Sequence, residues 1–259
     1  MDTYFYSVPT EINSIIISYI NTSDDVKNFV DTNISEVNWD FIFFLHFGYY
    51  SKYKDTDHQK YLQYLDIHKL KEEFNMEENI DDIDNLQTLD LFYYEISKIP
   101  SEIGNLINLR KLYLGRNIIE EIPSKIWNLS NLEELILCDN KIKVLPLEVG
   151  NLINLKELNL DNNKIEKIPH ELVNLINLER LYLCRNEIRF IPAEVCDLIN
   201  LRELSMSKNG IREIPSEIGN LVNLRKLNLC NNMIRTTPIE IDNLLRNGLN
   251  LMIYFQTKV

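Results

Sequence analysis

The chain has 259 residues, with 27 Lys and Arg against 39 Asp and Glu, for a formal net charge of −12. Its longest greasy stretch, Phe41 to Phe47, holds His46 and falls far short of the roughly 18–20 apolar residues a membrane-spanning helix needs. A net-acidic chain with no basic stripe is also set aside as a binder of nucleic acid or anionic lipid, because both need Lys and Arg against phosphate.

At the start of the chain, Asp2 stands where an export signal would carry positive charge, so the expected place of work is the cytoplasm, or the nucleus by diffusion. Residues 1–50 read as a helical module. Ile12, Ile15, Ile16, Tyr19 and Ile20 fall at helical spacing on one apolar face, with Thr10 placed to cap it. A second helix is expected from Ser23-Asp24 through Val26, Phe29 and Val30. A third, very apolar element runs from Trp39 to Phe47 and stops at Gly48. Val8-Pro9-Thr10-Glu11-Ile12, then Ile16, Tyr19-Ile20, Asp25-Val26 and Trp39, resembles an F-box. That resemblance implies a three-helix module that docks on the Skp-type adaptor of a cullin–RING ubiquitin ligase, here through Pro9, Ile12, Ile16 and Tyr19. Read from the residues alone, an unrelated helical capping domain stays open. A decayed repeat does not, because its strand positions would fall on Ser18, Asn21 and Ser23.

Residues 51–85 are expected to form an acidic helical linker and N-terminal cap. Tyr61, Leu62, Tyr64, Leu65, Ile67 and Leu70 precede an acidic run from Glu72 to Asp84 that carries Phe74, Met76, Ile80 and Ile83. Such a segment would cover the first rung of the array that follows, whose core would otherwise face water.

From Leu86 to Arg246 the chain repeats every 23 residues, at Leu86, Leu109, Leu132, Leu155, Leu178, Leu201 and Leu224, giving seven units without a gap. In one unit, Leu155, Leu158 and Leu160 carry the alternation of a short strand, and Ile165, Ile168, Leu172 and Leu175 complete the core. Asn163, with Asn117, Asn140, Asn186, Asn209 and Asn232 in the same slot, sits where the chain leaves the strand. An amide side chain both donates and accepts, so these residues are expected to stack as a ladder that satisfies the turn's backbone. Pro100, Pro123, Pro146, Pro169, Pro192, Pro215 and Pro238 mark a short helical turn on the outer side. Residues 247–259, with Leu249 to Phe255, read as a closing strand.

This pattern, with Ile214-Pro215-Ser216-Glu217-Ile218-Gly219-Asn220-Leu221 as its outer segment, resembles the intracellular leucine-rich repeats. The resemblance implies an α/β solenoid with a curved parallel sheet, short helical turns on its convex side, and an N-terminal α-helical module. The single alanine, Ala193, among abundant Ile, Asn, Lys and Tyr resembles AT-rich viral or protist repeat proteins, which would place a viral chain in its host's cytoplasm. Cys138, Cys184 and Cys230 share one slot two rungs apart, roughly 9–10 Å at the spacing of strands, beyond disulfide reach. Cys196 reads as core.

The solenoid's inner lining is the expected binding surface, since its outward strand residues are not needed by the core. Tyr113, Arg116 and Ile136, and Arg180, Tyr182 and Arg185, are the two candidate partner-binding clusters, because exposed Tyr and Arg dominate protein interfaces. His46, His58, His68 and His170 are scattered, and neither H-E-x-x-H nor G-x-S-x-G occurs. The expectation is a non-catalytic protein-binding chain with no cofactor or metal, a monomer apart from its partners. The first functional reading is a substrate receptor of a cullin–RING ubiquitin ligase. The second is a signalling scaffold or competitor whose N-terminal helices serve only as a cap.

Overall fold

The computed structural model describes residues 85–254 together with Phe74. The chain divides into two units, Met1–Ile80 and Asp81–Val259. The expectations for residues 1–50, and for the linker apart from Phe74 and Asn85, lie outside the described residues; so do the adaptor contacts at Pro9, Ile12, Ile16 and Tyr19.

Eight three-residue strands form one parallel sheet in chain order: β1 Thr88–Asp90, β2 Lys111–Tyr113, β3 Glu134–Ile136, β4 Glu157–Asn159, β5 Arg180–Tyr182, β6 Glu203–Ser205, β7 Lys226–Asn228 and β8 Asn250–Met252. Each residue pairs with the one 23 positions on, as Leu135 does with Leu158 and Leu158 with Leu181. The last step, from Leu227 to Leu251, is one residue longer. The central leucine of β4 points inward and is fully buried, while Glu157 and Asn159 on either side are half-exposed. Parallel strands this short need the rest of each unit to hold them, and the core of one unit shows how: Leu155, Leu158, Leu160, Ile165, Ile168, Leu172 and Leu175 are all 5% exposed or less. Burying each such side chain is worth about 1.5–3 kcal/mol, so the stacked leucines and isoleucines dominate the stability of the array.

Between consecutive strands the outer side carries 3-10 turns, η1 Ser101–Asn105, η2 Ser124–Asn128, η3 Leu147–Asn151, η4 His170–Asn174, η5 Ala193–Asp197 and η6 Ser216–Asn220, and after β7 an α-helix, α1 Ile241–Arg246. Each 3-10 turn follows its proline. Pro123 sits at φ −64° with extended ψ, and its carbonyl accepts the Ile126 amide at 3.1 Å to open η2. Proline serves well there because its carbonyl starts the turn while its missing N–H belongs to an extended residue with no ladder to join. Glycine at the fourth place of the turn lets the next unit close in: a Cβ on Gly150 would lie 2.6 Å from the Glu171 carbonyl oxygen. In η2 the same place holds Trp127, 1% exposed, with its indole N–H unpartnered.

The asparagine ladder is present. Asn163 accepts the Ile142 amide on Oδ1 at 3.0 Å, and its Nδ2 donates to the carbonyls of Leu137, Leu160 and Asp161 at 2.9, 3.1 and 3.3 Å. Three carbonyls against one amide makes it chiefly a donor, and each residue of the column ties its own unit to the one before. A second ladder was not foreseen: Asn131, Asn154, Asn177, Asn200 and Asn223 each donate to the carbonyl 24 residues earlier, at 2.7–2.9 Å, along the edge where the strands begin.

The four cysteines are unpaired and Cys196 is buried, as expected. The slot of Cys138 also takes Phe92, and only because its neighbour is Gly115, where a Cβ would collide with the Phe92 ring. Among the described residues no helix is long and apolar enough to cross a membrane.

Candidate functional site

The inner lining follows from the pairing. Equivalent residues lie side by side on adjacent strands, so a column of side chains in sequence becomes a row across the sheet. Tyr113 stands directly beside Ile136, and Tyr182 beside Ser205. The two tyrosines are three rungs apart, about 14 Å at the spacing of strands, with Ile136 and Asn159 between them. Tyr113 and Ile136, and Arg180 and Tyr182, therefore lie on one face of the sheet, with Arg116 and Arg185 three residues past the two tyrosines.

Both tyrosines are held by the same device. The Tyr113 hydroxyl donates to Glu134 at 2.6 Å and the Tyr182 hydroxyl to Glu203 at 3.1 Å, in each case a carboxylate on the next strand. Lys111 completes the first set, 2.8 Å from Glu134, and Lys226 the second, 3.4 Å from Glu203. Between them Arg180 Nε donates to Glu157 at 2.6 Å. The row Lys111, Glu134, Glu157, Arg180, Glu203, Lys226 thus resolves into three ion pairs. Burial, then the bond to Glu203, pushes the Tyr182 hydroxyl up to about 12. Tyr113 is raised by burial and by Glu134. Burial pushes Glu134 upward, but the bonds from Lys111 and Tyr113 outweigh it and leave it below the ordinary carboxylate range. Both tyrosines are therefore neutral hydrogen-bond donors at neutral pH, with fixed orientation and half-exposed rings.

The outer column of the lining has a backbone feature that sequence reasoning missed. Tyr93, Arg116, Asp139, Asn162, Arg185, Lys208 and Asn231 all sit at φ between 54° and 69°, the left-handed region, at the point where each strand turns away. Arg116 and Arg185 project from this turn and are exposed. Arg116 lies 5.1 Å over the ring of Tyr93, donates to its hydroxyl at 2.9 Å, and pairs with Asp139 at 3.5 Å. Tyr93 thus joins the first cluster; its position one period before Arg116 was the available signal. Ser205, in the same column as Tyr113 and Tyr182, is only 8% exposed, its hydroxyl 3.0 Å from the Cys184 sulfur.

Two of the four thiols, Cys138 and Cys196, are not poised for chemistry. Burial pushes Cys138 up to about 11 and Cys196 up to about 12, so both stay protonated at neutral pH. Of the four histidines only His170 lies among the described residues, where it contacts Glu171 at 2.9 Å on the outer side. Among the described residues no group of three or more His, Cys, Asp or Glu is arranged to hold a metal ion. A basic column does exist: Arg189, Arg212 and Arg235 take one slot in three successive units and are all exposed.

Residues 130–188 and 176–234 each match the family model described as Leucine rich repeat. No curated protein matches the chain. A solved leucine-rich repeat protein of Leptospira interrogans is 39% identical, with a TM-score of 0.65 over 67% of this chain and 44% of that one. The plant peptide hormone receptor RGFR1, in complex with RGF2, is 32% identical, with a TM-score of 0.55 over 62% of this chain and 27% of the receptor. A TDR receptor is 27% identical, with a TM-score of 0.57 over 66% of this chain and 31% of that one. The chain spans less than half the length of each.

Proposed function

We propose, from a chain that folds as a leucine-rich repeat solenoid, that its inner sheet recognises a protein partner and carries out no chemistry of its own. The observation that carries this reading is the tethering of Tyr113 and Tyr182 to carboxylates on the next strand. Each ring is held in place before a partner arrives, so less side-chain freedom is lost on binding. Aromatic anchors flanked by arginine are what protein interfaces concentrate their energy in. Support also comes from a relative on the same fold, the RGFR1 receptor in complex with RGF2. Unpaired thiols fit work in a reducing compartment such as the cytoplasm.

The test replaces Tyr182 by Ala and Arg185 by Asn, the latter because Asn tolerates the left-handed backbone at φ 54°. A partner recovered with the unaltered chain is purified and titrated against both proteins. Losing a central anchor worth about 2 kcal/mol weakens affinity about thirty-fold, while the melting temperature stays put. Equal affinity for the two proteins would remove the inner sheet from consideration.

A finer reading rests on the F-box resemblance of Val8 to Trp39. In it, Pro9, Ile12, Ile16 and Tyr19 engage a Skp-type adaptor, and the partner on the inner sheet is the substrate of a cullin–RING ubiquitin ligase. The contrasting reading is a signalling scaffold or competitor without adaptor. Binding of purified adaptor to the full chain, lost on replacing Pro9 and Ile16, supports the ligase role; no binding leaves the scaffold.

A further inference from the structure

We propose that the solenoid has a second docking surface, along the edge where its strands begin, and that it takes an extended acidic segment of a partner protein with aliphatic side chains alternating between its acids. Three observations meet there. The first is a groove of about 550 Å³ whose charged lining is Lys156, Glu179, Arg202 and Arg225. Its floor is the second asparagine ladder, Asn177, Asn200 and Asn223, each fixed by its bond to the preceding unit's carbonyl.

The second observation is an apolar rail beside that floor. The residue just before each floor asparagine is Ile176, Ile199 or Val222, exposed at 63, 56 and 55%, and Ile153 at 49% precedes them in the same column. Large aliphatics are usually the residues a soluble fold hides, and single exposed ones need no explanation. Four in register, in the same units that form the groove, make a contiguous strip. One unit earlier the column holds Ser130 and the strip stops.

The third is charge. Three cations face one carboxylate across the groove. Glu179 is shared between Arg202 at 3.7 Å and Arg180 at 3.9 Å. Lys156 leans on Glu133 at 2.6 Å. Arg225 pairs with no carboxylate among the described residues; its guanidinium makes one long bond, 3.4 Å, to the Leu224 carbonyl. The groove therefore favours an anionic occupant.

Geometry selects the form of that occupant. The groove crosses four units, about 14 Å at the spacing of strands, which an extended chain covers in four to five residues at about 3.3 Å each. In an extended chain, alternate side chains point to opposite sides. Acids at one parity face Lys156, Arg202 and Arg225, and aliphatics at the other lie on Ile153, Ile176, Ile199 and Val222. This surface is separate from the inner sheet and does not depend on the reading given for it.

The probe is a fluorescein-labelled peptide of alternating Asp and Ile, eight residues long, titrated by anisotropy against the full chain at low and high salt. A Lys-Ile peptide and an Asp-Ser peptide are the controls. The Asp-Ile peptide binds and the controls bind at least ten-fold more weakly. Added salt weakens the Asp-Ile complex. Arg202→Glu with Arg225→Glu, and separately Ile176→Ser with Ile199→Ser, each reduce its affinity at least ten-fold. All four residues are exposed, and an unchanged circular dichroism spectrum verifies the fold. Tyr182→Ala with Arg185→Asn leaves the peptide's affinity unaltered, which separates failure here from failure of the inner-sheet reading. The proposal is overturned if the Asp-Ile peptide does not bind, if Lys-Ile binds equally well, or if only the inner-sheet variant abolishes binding. It is also overturned if sedimentation shows the chain to be a dimer that the rim variants dissolve, since the occupant is then a second copy.

Discussion

Replacing Asn163 by Ala tests the ladder at its centre. Four hydrogen bonds disappear, but their loss is unequal. The Leu137 carbonyl still accepts from Asn140 at 3.1 Å, the Leu160 carbonyl from Asn186 at 2.9 Å, and the Asp161 carbonyl from the Asp139 amide at 2.8 Å. Only the Ile142 amide, bonded to Asn163 Oδ1, loses its one partner in a buried setting. An orphaned buried donor costs about 1–3 kcal/mol, and each lost but shared bond about 0.5–1.5 kcal/mol at most. The sum is about 2.5–7.5 kcal/mol, below the about 4–12 kcal/mol that four independent buried orphans would give. Urea unfolding followed by circular dichroism measures the total, and hydrogen exchange at the Ile142 amide identifies its source, because that proton becomes unprotected while those of the neighbouring strands do not. A destabilisation under about 1 kcal/mol, or an Ile142 amide as protected as before, would refute the accounting.

Other substitutions probe the remaining columns. Asp161 accepts the Cys184 amide, yet burial raises its carboxyl above the ordinary range. A folded pKa above the unfolded one means that the ionised group destabilises the fold at neutral pH and that this penalty fades as pH falls through the folded value. Asp161→Asn is therefore expected to raise the melting temperature at pH 7, with the gain shrinking in acid; a lower melting temperature at pH 7 contradicts it. Gly150→Ala puts a Cβ 2.6 Å from the Glu171 carbonyl oxygen and drives η3 from η4. A loss of about 1–3 kcal/mol by urea unfolding is expected, and unchanged stability would show that the turns have room to part. Arg185→Val places a β-branched side chain at φ 54°, for about 1–2 kcal/mol, whereas Arg185→Gly is neutral or stabilising. Equal melting temperatures for the two would mean the turn does not hold that conformation.

The stacking was readable because each recurring residue answers a need that no other side chain in its slot meets as well. Leu158 and Leu160 fill an interior, Asn163 serves backbone groups that cannot reach a ladder, and Pro169 opens a turn. What escaped depends on relations between units. That Tyr182 reaches Glu203, 21 residues on, needs a rotamer, and periodicity supplies only a face. Ser205 shares the slot of Tyr113 and Tyr182, but its short side chain sits beneath its neighbours and is buried. Trp127 stands in a slot held by glycine at 104, 150 and 219, and Gly104 and Gly150 bring the adjoining turns within contact. The left-handed turn at Arg116 and Arg185 was hidden because glycine, its usual mark, is absent from that column. The rim asparagines and the aliphatics before them recur at the same period, but a period gives neither a hydrogen-bond partner nor the exposure of Ile176 and Ile199.

The sharing of carbonyls along the first ladder has a consequence for how such a molecule changes length. The Leu160 oxygen accepts both from Asn163 in its own unit and from Asn186 in the next. Every interior unit hands on the same set of donors and acceptors that it receives. Copying or deleting one whole 23-residue segment within the interior therefore leaves the asparagine column matched, whereas an interior segment of another length would carry its asparagine out of that column. Expansion in whole steps is the tolerated route, and the breadth of surface offered to partners can grow or shrink without any new solution for the interior.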